Sequence, residues 1–286
     1  MARDPPAIHP LWHLRTTGGI IGEDDVEIWS LALTGLAAIS TLMVSTWVTA
    51  LVQHDTSLVD RVWGLAFVVA AWVYALVGDG AEVRELLMAV LVTVWGVRLS
   101  AHITWRNWGE GEDARYAAMR DRYDGDFAVA SLWRVFLLQA LLAWVVAIPL
   151  LAVASDATPD TLTWLDAVGV VVWAVGFAFE AVGDWQLARF AADPSNRGKV
   201  LDSGLWRYTR HPNYFGDATL WWGYGLIALA TGAWWALAGP ALMSLLIVRV
   251  SGVALTDRRM GRGSTREGYE EYVRRTNAFF PGPPSG

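Results

Sequence analysis

Residues 132–154 read LWRVFLLQALLAWVVAIPLLAVA. Apart from Arg134 near one end and Gln139, the stretch is apolar throughout. About 20 such residues wound as an α-helix cross the hydrocarbon core of a bilayer. A soluble amphipathic helix would return an apolar residue every three or four positions with polar ones between, and here the apolar run is unbroken. Six further blocks of similar length flank it, at 29–52, 58–78, 85–105, 164–184, 213–232 and 236–255. The expected fold is therefore an all-α, polytopic membrane helix bundle of seven spans. Composition agrees, with 54% hydrophobic residues in a chain of 286 and a mean hydropathy of +0.33. Tryptophans stand at the ends of the blocks (Trp29, Trp105, Trp133, Trp164, Trp185), where an amphipathic ring anchors at the membrane interface.

Arginine and lysine set the orientation. The connection 106–134 carries Arg106, Arg115, Arg120, Arg122 and Arg134, and 185–212 carries Arg189, Arg197, Lys199, Arg207 and Arg210. Six more arginines follow residue 255, whereas 155–163 and 233–235 carry no basic residue and 79–84 only Arg84. Alternation along seven spans then puts the N-terminus outside and the C-terminus in the cytoplasm of a multi-pass cell-membrane protein. Residues 1–27 are polar, with prolines at 5, 6 and 10, and lack the apolar core of a cleaved signal peptide. They are expected to be a loosely ordered tail before a membrane domain at 28–281 and a short tail at 282–286. His9 and His13 are four apart, but Pro10 between them argues against a helical metal pair. With no cysteine, disulfides, thiolate nucleophiles and Cys-ligated metals are excluded. Tyr116, Met119 and Tyr123 recur at helical spacing among charges, as do Tyr269, Tyr272 and Val273, so each region is read as a helix on the membrane surface.

Ionisable groups within spans are expensive and mark function. Those read as marking a site are Asp60, Arg61, Arg98, His102, Glu180, Asp184, Asp217 and Arg249. On the expected topology all lie in the cytoplasmic half. Arg98/His102, Glu180/Asp184 and Asn213/Asp217/Trp221 follow i, i+4 spacing, so each set shares one helix face. Polar groups from five helices at one depth describe a pocket open to the cytoplasm.

The segment 199–217, KVLDSGLWRYTRHPNYFGD, leads into the sixth span. Pro212 suits the first turn of a helix, whose N–H groups are unpaired and carry the positive end of the dipole. Arg210 and His211 precede it, Tyr214 follows, and Arg197, Lys199 and Arg207 lie close in sequence. A helix start ringed by cations is an anion site. Gly216 is expected to let a bulky ligand approach the backbone. There is no Gly-x-Gly-x-x-Gly turn, so a dinucleotide would have to lie in the membrane-facing pocket rather than on a Rossmann sheet.

Residues 204–217, together with Arg98–His102, 109–116, Glu180–Asp184 and Tyr269–Pro281, resemble the steroid 5-alpha-reductase-like membrane enzymes. The likeness is greatest to a bacterial branch of unknown function. The resemblance implies a seven-helix bundle holding NADPH between the spans and the cytoplasmic loops. It carries cofactor contacts onto Asp184, Lys199, Tyr208, Asn213, Asp217, Trp221 and Arg249, with Glu180 standing where the steroid enzymes use asparagine. It implies hydride transfer to the conjugated C=C of a steroid-like or other lipid, with Asp60 matching the second-span carboxylate that grips the substrate carbonyl. The family's tyrosine after the third-span histidine is Ile103 here, which leaves Asp60 and His102, expected to face one another, as the catalytic pair. Expected partners are a lipid-like small molecule and the membrane lipids, and no nucleic acid. The Arg210–Tyr214 motif is shared with S-adenosylmethionine-dependent methyltransferases resembling the isoprenylcysteine carboxyl and phospholipid enzymes, which is the alternative reading. Lys199 favours NADPH, because its cation suits a phosphate that S-adenosylmethionine lacks. A non-catalytic lipid-binding protein is the third.

Because the chain has no native cysteine, a single introduced one reports sidedness. Thr158→Cys is expected to react with a membrane-impermeant maleimide on intact cells, and Gly286→Cys only after permeabilisation. External labelling at position 286 would overturn the orientation.

Overall fold

The computed structural model describes residues 23–253 and 266–285. Among them every regular element is a helix. The first three spans are α1 (Glu23–Gln53), α2 (Leu58–Val77) and α3 (Glu82–Arg106). A short α4 (Ala114–Asp121) follows outside the spans. The fourth span is composite: α5 (Phe127–Ser131), a π-helical stretch (Leu132–Leu137), α6 (Leu138–Val146) and α7 (Ile148–Ala154). Pro149, in the first turn of α7, cannot donate a backbone hydrogen bond, and the helix breaks just before it at Ala147. α8 (Trp164–Ala192) and α9 (Pro212–Leu229) form the fifth and sixth spans. The seventh combines a 3-10 turn (Trp234–Leu237), α10 (Ala238–Leu245) and a second π-helical stretch (Leu246–Ser251). α11 (Tyr269–Arg275) closes the chain's helical content.

Five of these spans are long and apolar enough to cross a membrane by length and composition: Glu27–Gln53, Leu58–Val77, Glu82–Arg106, Phe127–Val146 and Trp164–Ala192. Trp234–Val250 is a shorter apolar helix, and α9, which carries Asn213 and Asp217, is not among the five. The expected boundaries shift in three places. Helix α1 begins at Glu23, inside the segment expected to be tail. α8 runs eight residues past the expected end at 184, to Ala192. The expected surface helix over 106–131 is only the eight residues of α4, because Asp126 caps a new helix by accepting from Ala128 and Val129 N–H and starts the fourth span there. His9 and His13 lie outside the described residues.

Loops segregate to two ends. At one, Thr56 N–H donates to Glu112 at 2.8 Å, and Arg210 reaches the tail beyond α11. At the other, Asp79 N–H donates to Ala154 at 3.0 Å, and Arg84 is buried in an ion pair with Asp166 at 2.9 Å. Arg84 also donates to the carbonyls of Pro159 and Thr161, so every arm of its guanidinium is used. Asp166 completes a capping box with Thr163 at the start of α8. The one cation of the 79–84 connection is thus a structural staple rather than a topological charge.

The core joins α2, α3 and α9 through Phe67, Trp95, Trp221 and Tyr224, with ring centroids 4.7–5.5 Å apart for Phe67–Trp221, Trp95–Trp221 and Trp221–Tyr224. α8 and α9 approach still more closely along glycines. A Cβ on Gly176 would lie 2.4 Å from Leu220 N, and one on Gly216 only 2.3 Å from Glu180 N. This corrects the reading of Gly216. The space above its Cα is filled by the backbone of α8, not by a ligand.

Two outcomes follow from this packing. Gly176→Ala and Gly216→Ala are expected to cost at least the ~1–3 kcal/mol typical of overpacking. Gly111→Ala, whose Cβ would meet nothing within 4 Å, should leave the unfolding midpoint in detergent unchanged. Equal midpoints for all three variants would count against the seam. The second outcome concerns acid. Burial alone would raise the Glu112 carboxyl, but hydrogen bonds from Arg120 and Thr56 outweigh it and hold the group below the ordinary glutamate range. The docking it provides is thus complete at neutral pH and is lost as pH falls through that lowered value. Proteolysis of the 107–126 loop should accelerate on acidification in the native chain. In Glu112→Gln it should already be fast at neutral pH and respond less.

Candidate functional site

The seam between α8 and α9 brings polar side chains of three spans together at one end of the bundle. Glu180 and Asp184, one turn apart on α8, share a single guanidinium. Arg98 of α3 lies 2.8 Å from Glu180 Oε1 and 2.6 Å from Asp184 Oδ2. Trp95 Nε1 donates to Glu180 Oε2 at 3.0 Å, tying this cluster to the aromatic core. Asn213 Nδ2, in the first turn of α9, donates to Asp184 Oδ1 at 3.0 Å. His102 Nε2 stands 3.6 Å from Asp184 Oδ2. The i, i+4 pairs at 98/102 and 180/184 therefore meet face to face.

Three atoms on the facing side of α9 remain unsatisfied. Asn213 Oδ1, Asp217 Oδ1 and Trp221 Nε1, at i, i+4 and i+8, are buried and have no partner in good hydrogen-bonding geometry, although Trp221 lies close enough to Asp217 to interact with its carboxylate. A buried polar atom left unpaired costs about 1–3 kcal/mol, so two acceptors and a donor in a row call for a complementary polar group.

Asp217 also lines a cavity of about 400 Å³ between α2, α3, α4, the fourth span, α9 and the end of the seventh span. Asp60, Arg106, Arg115, Tyr116, Gln139 and Tyr214 also give it polar groups. Leu99, Ile103, Leu142 and the aliphatic side chains of the second π-helical stretch supply the rest. Asp60 is fully engaged by α4: Arg115 Nη2 donates to Oδ2 at 2.7 Å and Tyr116 OH to Oδ1 at 2.8 Å. Gln139 Nε2 approaches the Tyr116 oxygen at 3.4 Å. Burial, and then the negative charge of Asp60, push the Tyr116 phenol well above its usual range, so it is a neutral donor at ordinary pH.

The expected site residues fall into four groups. Glu180, Asp184, Asn213, Asp217 and Trp221 cluster as their spacing implied. Asp60 and His102 do not pair: Asp60 is held by α4, whereas His102 turns to Asp184. Arg197, Lys199 and Tyr208 are exposed in the connection between α8 and α9, and Arg249 is exposed on the second π-helical stretch. Arg210 and His211 are drawn into the loop's own architecture. Arg210 Nη1 donates to the carbonyls of Val273 and Thr276 at 3.1 and 3.0 Å. His211 caps α9 and stacks on Tyr214 with ring centroids 5.4 Å apart. Sequence reasoning missed Tyr116, Arg115 and Gln139. Gln139 carried a usable signal as a lone amide within a span. Tyr116 did not, because its helical spacing with Met119 and Tyr123 equally describes a surface anchor.

No solved structure matches the chain. A probable O-methyltransferase of Ustilaginoidea virens is 41% identical over 83 residues, which is 28% of this chain and 28% of that protein. An uncharacterised protein of Schizosaccharomyces pombe is 23% identical over 266 residues, covering 82% of this chain and 75% of the relative. The model of the DUF1295 family, proteins of unknown function, matches residues 46–276. A match over most of the membrane domain, spanning both halves of the polar cluster, makes the chain a member of the DUF1295 family.

Proposed function

We propose that this protein is a membrane-embedded oxidoreductase that uses NADPH to reduce the conjugated C=C of an enone lipid, with its cofactor site facing the cytoplasm. The observation that carries the reading is the unsatisfied row Asn213 Oδ1, Asp217 Oδ1 and Trp221 Nε1. A carboxamide offers two N–H donors and one carbonyl acceptor, and so complements two acceptors and a donor. Exposed Lys199 and Arg197 precede α9 and make no salt bridge with the described residues, leaving cations for phosphate. When bound, NADPH supplies the hydride. The chain's own residues do the remainder. Arg98 fixes Glu180 and Asp184, Asp184 orients Asn213, and His102 buttresses Asp184 as a positioning residue. Asp60 belongs to the wall that would receive the substrate's oxygen. The apolar lining of the same cavity suits a lipid body.

The likeness to a probable O-methyltransferase supports a second reading, in which S-adenosylmethionine occupies the α9 face. Titration of the detergent-solubilised protein separates the two. NADPH is expected to bind and S-adenosylmethionine not. Lys199→Ala should weaken NADPH about ten- to a hundred-fold, the worth of one charge-assisted hydrogen bond, and narrow the preference over NADH. Asn213→Ala should weaken both nicotinamide cofactors alike. Binding of S-adenosylmethionine alone would replace the reductase reading with the methyltransferase one.

A further inference from the structure

We infer that the hydroxyl of Tyr116, carried by the surface helix α4 rather than by any span, is the catalytic hydrogen-bond donor to the carbonyl oxygen of an enone held in the cavity. The inference rests on the reductase reading for the chemistry, and on geometry for the residue. Tyr116 lines the cavity that Asp217 also lines, so the phenol and the middle residue of the α9 row look into one space. Of the polar groups on that lining, Asp60 can only accept while ionised, Gln139 is turned toward the Tyr116 oxygen, Arg115 is held by Asp60 and Asp113, Arg106 donates to Asn107, and Tyr214 is stacked on His211. Ile103, on the same lining, brings no polar atom.

The hydroxyl is also the lining group most readily redirected. It now donates to Asp60 Oδ1 at 2.8 Å. Rotation about the C–O bond turns the proton into the cavity without stranding the carboxylate, because Arg115 still donates to Oδ2 at 2.7 Å. Gln139 can go on donating to the phenol oxygen, which strengthens its O–H as a donor. In the reduction, hydride from NADPH adds to the β carbon. The C=C pair becomes the bond between the α carbon and the carbonyl carbon, and the carbonyl pair moves to oxygen. Tyr116 donates to that oxygen as its charge grows, and solvent supplies the proton that the α carbon takes up as the carbonyl re-forms. The same contacts explain why α4 is docked so firmly, by Arg115 and Tyr116 on Asp60 and by Glu112 on Thr56. A surface anchor would need none of them.

The probe is cholest-4-en-3-one labelled with ¹³C at the carbonyl, read by isotope-edited infrared spectroscopy on the full chain without cofactor. The labelled band should lie lower in the native protein than in Tyr116→Phe. It should fall further when 3,5-difluorotyrosine replaces Tyr116, because a more acidic phenol donates more strongly. In parallel, single-turnover oxidation of NADPH should drop about 10²–10³-fold in Tyr116→Phe while NADPH affinity stays at the native value. A band that does not move in either variant, or no bound band in the native chain, overturns the assignment. The fluorinated protein keeps this decisive if Tyr116→Phe fails to fold. If the band shifts as expected but NADPH does not bind the native chain, the hydroxyl contact stands and the reductase reading falls.

Discussion

The close approach of α8 and α9 fixes everything at the polar end of the bundle. In a bilayer, helix association gains little from the hydrophobic effect, because lipid tails are as apolar as the side chains. Van der Waals contact between backbones must supply the attraction, and glycine permits it. Gly176 and Gly216 sit against each other's helices with no room for even one carbon. α2 and α3 repeat the device at Gly64 and Gly96, where a Cβ on either would lie 2.5 Å from the other's carbonyl oxygen. Two glycine contacts thus set the depths of the four helices that carry Asp60, Arg98, Glu180, Asp184, Asn213 and Asp217.

Once the helices are locked at that spacing, electrostatics finish the arrangement. Glu180 and Asp184 cannot both be taken from water without a counter-charge, and Arg98 is the cation that reaches both. The opposite end uses the same logic once, with Arg84 and Asp166 buried together and every remaining hydrogen-bonding group satisfied by the adjoining loop. The contrast between the ends is informative. The Arg84 site is closed, with nothing left to bind. On the α9 side, Asn213, Asp217 and Trp221 each keep an atom unsatisfied, and Asp217 does so on the wall of the cavity.

Much of this was legible in the sequence because membrane helices obey strong constraints. Length and continuity of apolar residues gave the spans, and the i, i+4 spacing of 98/102 and 180/184 put the correct faces together. What stayed hidden depends on contacts between segments far apart in the chain. The Tyr116–Asp60 hydrogen bond joins residues 56 apart, and no local pattern encodes it. Helical spacing assigned Tyr116 to the membrane surface, whereas its side chain is buried against α2. Gly216 was misread for a related reason. A glycine shows that something comes close to the backbone, but not whether it is a ligand or another helix. Arg210 stands in a basic run that reads as an anion site, yet its guanidinium spends its hydrogen bonds on carbonyls of a segment more than sixty residues later.

That last attachment bears on how the molecule is made. Thr209 hydrogen-bonds the carbonyls of Ala278 and Phe279, 69 and 70 positions downstream, and Gly282 N–H closes on Tyr208. Phe215 packs edge-on against Phe279 and Phe280. During synthesis the loop before α9 therefore emerges long before the residues that hold it, and two further membrane helices must be made and inserted in between. Until then the loop has no tail to lean on, and the nascent protein is a set of inserted spans with an unassembled mouth. Ribosome pausing or proteolysis in that interval would strand an open form, because the clasp between residues 208–215 and 278–282 cannot close until the tail is made.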